Sequence, residues 1–113
     1  MRYIKVLFLI LFVGCAGGQM DWQMEMNRNN RNIAKLNIGM DKATVLEIMG
    51  EPVLHEAYEQ TDGSVFEAFF YYTNRVWSDG NRTKDEMTPI CFTDNRLVGW
   101  GQDFYTLNLK IIK

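Results

Sequence analysis

Cysteine and histidine are scarce in this chain, whose 113 residues include two cysteines and one histidine. Two cysteines cannot form the multiple-disulfide framework of many small secreted domains, and one histidine falls short of the four ligands of a structural zinc site. Cys91 lies in the apolar run 89–92, which favours a buried thiol. Nucleophile elbows, phosphate loops and dinucleotide fingerprints are also missing. We therefore predict no catalytic residues, no metal and no cofactor, and we expect that the protein is not an enzyme.

An excess of charge of one sign is lacking too, since 12 basic and 14 acidic residues give a formal net charge of −2. A weakly acidic domain has no general attraction to phosphate, which argues against a nucleic-acid partner. The single histidine, His55, stands next to Glu56, and this pair would supply half of an acid–base or metal site. Because no second histidine exists, we assign His55 no catalytic or metal role.

The N-terminus carries an apolar run of informative length. Two basic residues precede the segment Val6–Val13, and Cys15 follows after one glycine. The run is too short to cross a bilayer, which takes roughly 20 residues, but it suits the hydrophobic region of a signal peptide. The stretch 12–15 resembles the lipobox of bacterial lipoproteins, and this implies that residues 1–14 are removed and that Cys15 is acylated. The alternatives are an ordinary secretory signal and a buried strand with a chance cysteine.

Acylation of Cys15 would also determine where the protein resides. Cleavage would leave 10 basic against 14 acidic residues, a formal charge of −4, so attachment should depend on the lipid alone. Several acyl chains suffice, because each buried methylene contributes about 0.8 kcal/mol. Residue 16 is alanine rather than aspartate, which in enteric-type lipoproteins implies export to the outer membrane. We expect a protein held by its N-terminal lipid on the periplasmic face of the outer membrane, with residues 15–20 as a tether.

Helix signals dominate the first part of the mature chain. A loose apolar stripe predicts a helix over roughly residues 21–35. A second helix over Lys42–Met49 has clearer ends, with Asp41 as its N-cap and with Gly50 and Pro52 as its stop.

Period-two patterns and turn residues dominate the rest of residues 21–113, which we interpret as a single domain. Strands are predicted over residues 53–59, 65–72, 87–93 and 96–101, with a long polar loop over 74–86 and a further strand or packed tail over 104–109. The fold class is therefore α+β, with two N-terminal helices packed on a three- to four-stranded antiparallel meander sheet. The helices cover one face of this sheet, and the aromatic residues of strand 65–72 that point the other way are expected to be exposed.

The helix motif in Leu36–Pro52 resembles that of the SmpA/OmlA (BamE-like) family of small outer-membrane lipoproteins. It has a Gly-Met-Asp start, a valine four residues past the cap and a Gly-x-Pro end. Residues 71–73 and 92–100 match the strand and hairpin pattern of that family, and shorter motifs resemble an uncharacterised branch of it. The resemblance implies a non-catalytic periplasmic module that binds partner subunits and anionic lipid in outer-membrane assembly.

Aromatic residues are more numerous than one small helix face can cover. Most must be core, but Trp77 falls in the polar loop between Arg75 and Arg82, and Trp and Arg dominate binding hot spots. We predict that these three residues contact a partner in an envelope protein complex; the alternative is plain core packing and a solvated loop. The predicted function is a protein-binding envelope or outer-membrane-assembly accessory module. The alternative is an envelope sensor or inhibitor domain that binds a small ligand or an enzyme.

Overall fold

The computed structural model describes residues 22–74 and 83–112, with side chains through residue 110. The predicted signal peptide, Cys15 and the tether lie outside the described residues. The elements in chain order are α1 (Trp22–Ile33), α2 (Lys42–Met49), β1 (Leu54–Glu59), β2 (Val65–Tyr72), the 3₁₀ turn η1 (Lys84–Glu86), β3 (Met87–Thr93), β4 (Arg96–Trp100) and α3 (Gln102–Ile112). The predicted α+β class and the two helices before the sheet are confirmed, but a third helix follows the sheet.

The four strands form one antiparallel sheet in the order β1-β2-β3-β4. Each strand pairs with its neighbour in the chain, as a meander requires. The β3–β4 hairpin turns at Asp94 and Asn95, whose φ angles are 48° and 69°. Positive φ at both central residues is typical of the tight turns that suit the twist of a hairpin, so the predicted turn is confirmed.

Helix α2 has the predicted ends. Asp41 is at the N-cap position, but its carboxylate accepts from the Thr44 hydroxyl at 3.1 Å and not from a helix amide. Gly50 ends the helix with a φ of 82°, and its N–H donates to the Leu46 carbonyl at 2.8 Å. The Tyr71 hydroxyl donates to the Gly50 carbonyl at 2.8 Å, which supplies a partner to the helix end.

Helices α1 and α2 pack on one face of the sheet. Its core combines Val45 and Met49 of α2 with side chains from β2, β3 and β4. The buried members of this core are Leu36, Val45, Met49, Phe69, Tyr71, Ile90, Phe92 and Leu97.

The opposite face of the sheet is also buried, which corrects two predictions. Residues 104–109 belong to helix α3 rather than to a strand, and α3 covers the aromatic residues that were expected to be exposed. Seven of the eight β2 residues are buried. Gly101 has a φ of 107°, which only glycine adopts readily, and this lets the chain leave β4 and turn back onto the sheet. The domain therefore has three layers, with helices on both sides of the sheet.

The second core forms between the sheet and α3. Its buried members are Phe66, Ala68, Phe70, Met87, Cys91 and Tyr105, with Tyr58, Val98, Phe104 and Leu109 packed against them. The prediction of a buried Cys91 is confirmed. In the described part of the chain, every helix is too short or too polar to cross a membrane.

Candidate functional site

The outer face of α1 holds a pocket of about 280 Å³. Its described lining residues are Met24, Asn27, Arg28 and Arg31, whose spacing of three and four places them on one helical face. Met24, on this face, is 57% exposed, whereas Trp22, which is 41% exposed, lies on a different side of the helix. This face therefore combines exposed apolar area with two guanidinium groups.

Arg28 and Arg31 make the pocket electropositive. They lie three residues apart on the same face of the helix, where side chains are neighbours. The Nε atom of Arg28 is buried and has no hydrogen-bond partner among the described residues, and one terminal nitrogen donates to Asn29 Oδ1 at a long 3.4 Å. The guanidinium group of Arg28 therefore has donor capacity that the described residues do not saturate, and guanidinium groups pair well with carboxylates.

The inner face of α1 is attached to the rest of the domain by three asparagines. Asn29 is 1% exposed, and its Nδ2 donates to the Tyr72 carbonyl at 2.8 Å. The Nδ2 atoms of Asn30 and Asn32 donate at 3.0 Å to the carbonyls of Thr73 and Ile48, respectively. Sequence reasoning treats asparagine as a poor helix former, because its side chain competes for backbone groups. Here those side chains bond the backbone of other elements, which fixes α1 against β2 and α2.

The long loop begins and ends beside this attachment. The N–H groups of Thr73 and Asn74 both donate to the Glu86 carbonyl at 3.0 Å, and the Thr73 and Thr88 hydroxyls are 2.7 Å apart. Asn30 bonds the same Thr73, so the base of the loop is next to α1. The predicted binding residues Arg75, Trp77 and Arg82 themselves lie outside the described residues.

The environment of His55 differs from the one that its sequence neighbour suggests. Adjacent strand residues point to opposite faces, so Glu56 is turned away from His55. His55 Nε2 instead lies 3.0 Å from Glu67 Oε2, across the β1–β2 pair. Lys42 Nζ lies 2.9 Å from the other oxygen of the same carboxylate. Burial raises the pKa of Glu67, but the hydrogen bonds from Lys42 and His55 outweigh it and hold that pKa below its ordinary value.

Glu56 is the centre of a second polar cluster on the α3 side of the sheet. The Tyr58 hydroxyl donates to it at 3.0 Å, and the Tyr105 hydroxyl and Lys84 Nζ also bond it. Burial raises the pKa of Glu56, but these bonds, led by that from Lys84, bring the net pKa below its usual value. Burial and the bond to Glu56 raise the pKa of Tyr105. The cluster joins β1, η1 and α3.

Neither carboxylate cluster has the features of a reaction centre. Each carboxylate is occupied by its own cations and hydroxyls, so it lacks oxygens directed at a substrate. Within residues 22–74 and 83–112, no three His, Cys, Asp or Glu side chains lie close enough together to hold a metal ion. Burial raises the pKa of the Cys91 thiol to about 12, so it is not a nucleophile near neutral pH. The pocket face of α1 is therefore the best candidate site.

Fold and surface together define a small three-layer α+β domain with a basic, partly apolar helix face beside a long loop. The chain belongs to the family described as protein of unknown function (DUF3192), which matches residues 8–107. Comparison with curated proteins and with solved structures gave no match.

Proposed function

We propose that this protein is a non-enzymatic, lipid-anchored module on the periplasmic face of the outer membrane that binds another envelope protein through the outer face of α1. The observation that carries the proposal is the combination of exposed Met24 with Arg28 and Arg31 on one face of the helix. Large apolar and arginine side chains on one surface are typical of binding hot spots. The two guanidinium groups favour a partner with carboxylates at its contact surface.

The position of α1 in the chain agrees with this proposal. Six residues lie between Cys15 and Trp22, and the seven steps from one to the other can span at most about 25 Å. A lipid on Cys15 would therefore keep α1 close to the membrane, within reach of membrane-embedded or membrane-bound proteins. The base of the loop that carries Arg75, Trp77 and Arg82 lies beside α1, so both could contribute to one surface. The SmpA/OmlA resemblance favours the same type of role, in outer-membrane assembly.

A small ligand is the second candidate for this surface. The pocket volume of about 280 Å³ falls just below the range of roughly 300–1,000 Å³ that is common for small-molecule sites. Two arginines would select an anionic ligand. Because exposed Met24 adjoins the two arginines on this face, a protein contact uses more of this surface than a small anion does.

Site-specific photo-crosslinking in cells tests the binding surface. A photoreactive residue at position 24 or 31 should capture an envelope protein, and so should one at position 75, 77 or 82 if the loop shares the surface. A matched control at Leu107, which is 58% exposed on α3 across the sheet, should capture much less. Equal capture from position 107, or capture of lipid alone from α1, would contradict the proposed interface. If the captured protein is an enzyme and its activity falls when this protein is bound, the inhibitor alternative would be favoured.

The anchor requires its own test. Mass spectrometry of the mature protein should show an acylated Cys15 at the N-terminus. Cys15→Ser should move the protein out of the outer-membrane fraction, whereas Cys91→Ala should leave it there. An unmodified Cys15, or a retained leader in the unsubstituted protein, would refute lipid anchoring.

A further inference from the structure

Strand β1 is a regular edge strand. It pairs with β2 over six consecutive residue pairs without a bulge, and no other strand of the described residues pairs with its outer side. Its sequence, LHEAYE, contains neither proline nor lysine. Natural edge strands usually carry such residues or bulges, which block pairing with another chain. This edge lacks proline, lysine and a bulge, and its acidic residues are Glu56 and Glu59. It can therefore receive a further strand that complements these two carboxylates.

The hydrogen-bond pattern identifies which backbone groups face outward. The Gln60 N–H donates to the Ser64 carbonyl at 2.8 Å at the end of the β1–β2 hairpin. Alternation along an antiparallel strand then directs the even-numbered residues of β1 to β2. The N–H and C=O groups of His55, Ala57 and Glu59 consequently point to the outer edge.

In one antiparallel register, the side chains of β1 complement those of β1 in a second copy of the chain. When Ala57 of one copy lies opposite Ala57 of a second, His55 of each faces Glu59 of the other, and Glu56 faces Tyr58. Opposite residues then belong to the same face of the sheet, as pairing requires. A register centred on Glu56 would instead place two carboxylates directly opposite each other, which is destabilising.

The exposure of these side chains fits this register. Ala57 and Glu59 are exposed, and the His55 side chain is 48% exposed. In its imidazolium form, His55 donates through Nε2 to Glu67 and can donate through Nδ1 to the opposite Glu59. The small side chain of Ala57 puts no bulk at the centre, and Leu54, which is 40% exposed, would gain contacts across the pair.

We propose that two copies of this chain associate through β1, antiparallel and with Ala57 on the two-fold axis, to form a continuous eight-stranded sheet. This interface is separate from the outer face of α1, so the dimer does not depend on the partner-binding proposal. The occupant of the edge is the second copy, because the opposite-charge and hydrogen-bonding pairs come from this sequence itself.

Disulfide trapping tests the register. The Cα atoms of two opposite Ala57 residues in a hydrogen-bonded pair should be about 5.5 Å apart, within the range that a disulfide spans. Ala57→Cys should therefore give a crosslinked dimer of the full-length protein in its membrane on mild oxidation. Glu59→Cys is the matched control, because the two substituted positions would be about 14 Å apart. The unsubstituted chain measures any crosslinking through Cys15 or Cys91. Crosslinking from position 59 rather than 57, or from neither, would overturn the proposal.

The backbone contribution is tested by Ala57→Pro. Its N–H faces outward, so proline removes no bond to β2 but removes one donor from each copy at the interface. In detergent, sedimentation of the full-length variant should show a dimer dissociation constant raised roughly tenfold or more. Ala57→Thr, which keeps the N–H, should still dimerise, and circular dichroism verifies folding of both variants. Unchanged dimerisation of Ala57→Pro would overturn the proposal, as would a photoreactive residue at position 57 that captures a different protein instead of a second copy.

Discussion

At the scale of single residues, the side-chain amides of three asparagines attach α1 to the rest of the domain. Asn29, Asn30 and Asn32 satisfy carbonyl groups at the ends of β2 and α2, which a helix of ordinary apolar residues would leave to water. A buried carbonyl that loses a donor retains the cost of its desolvation. The orientation of α1, and hence of its binding face, depends on these bonds.

Asn29→Ala should lower the free energy of unfolding by about 1–3 kcal/mol, because the Tyr72 carbonyl loses a buried donor. Asn27→Ala is the matched control on the exposed side of the same helix, and it should change stability by no more than about 0.5 kcal/mol. Urea denaturation measures both. Equal effects of the two substitutions would show that the buried bond contributes nothing specific.

Glu67 should make stability depend on pH on the acid side. Its pKa in the folded protein lies below the ordinary value of 4.5, so the folded state binds this proton less readily than the unfolded state does. The associated stability is therefore present above pH 4.5 and is lost as the pH falls through the lower folded pKa. Glu67→Gln should cost about 1–2 kcal/mol at pH 7 and flatten the decline in stability below pH 4.5. Glu47→Gln, at an exposed position, should leave the decline as steep as in the unsubstituted protein.

Close packing between elements centres on Gly99 of β4. A Cβ atom added at this position would lie 2.8 Å from the ring of Phe104 on α3. Glycine within a strand often marks the close approach of another element, and Gly99 in β4 is such a position. The absence of a side chain at Gly99 is what lets α3 sit close to the sheet.

Gly99→Ala should therefore destabilise the protein by about 1–3 kcal/mol, because the Phe104 ring must move in a packed core. Adding Phe104→Leu should recover part of this loss, since the smaller side chain yields space. Thermal denaturation of the two single variants and the double variant gives the coupling between them. Strictly additive effects would show that the strain lies elsewhere.

Local signals were enough to predict most elements. The bounds of α2, β2 and β3 follow from caps, turn residues and period-two patterns, and they match the structure. Helix α3 was missed because Phe104, Tyr105 and Leu109 are as common in strands as in buried helix faces, and only its contact with the sheet decides between them. The Glu67–His55 pair and the asparagine bonds of α1 required strand register and tertiary contact, which local patterns do not contain. The pocket face of α1 could have been found from the spacing of Met24, Asn27, Arg28 and Arg31.

The stability of the whole domain depends on the helices on both faces of the sheet. The α3 side of the sheet buries Phe66, Phe70 and Cys91, and Tyr105 of α3 packs on the Phe70 ring. A sheet with one aromatic face open to water would present a large apolar patch, and such patches promote association and aggregation. The predicted two-layer fold would have left that patch in place.

Truncation after Gly101 should therefore abolish cooperative unfolding, and the shortened protein should bind the dye ANS and aggregate. Truncation after Lys110 is the control, because it keeps the residues of α3 that pack on the sheet, and it should retain a sharp thermal transition. Calorimetry and ANS fluorescence distinguish the two. A cooperative, soluble protein that ends at Gly101 would contradict the three-layer account.

The meander order of the sheet has a kinetic consequence. Every hydrogen-bonded strand pair joins neighbours in the chain, so the sheet assembles from successive hairpins without a long crossover. Such a topology has a low contact order for a sheet protein, because paired strands are close in sequence. Little chain entropy is therefore lost in closing each loop before its strands pair. Refolding from denaturant should thus be faster than for Greek-key proteins of similar length, with closure of the eleven-residue segment between β2 and η1 as the slowest step.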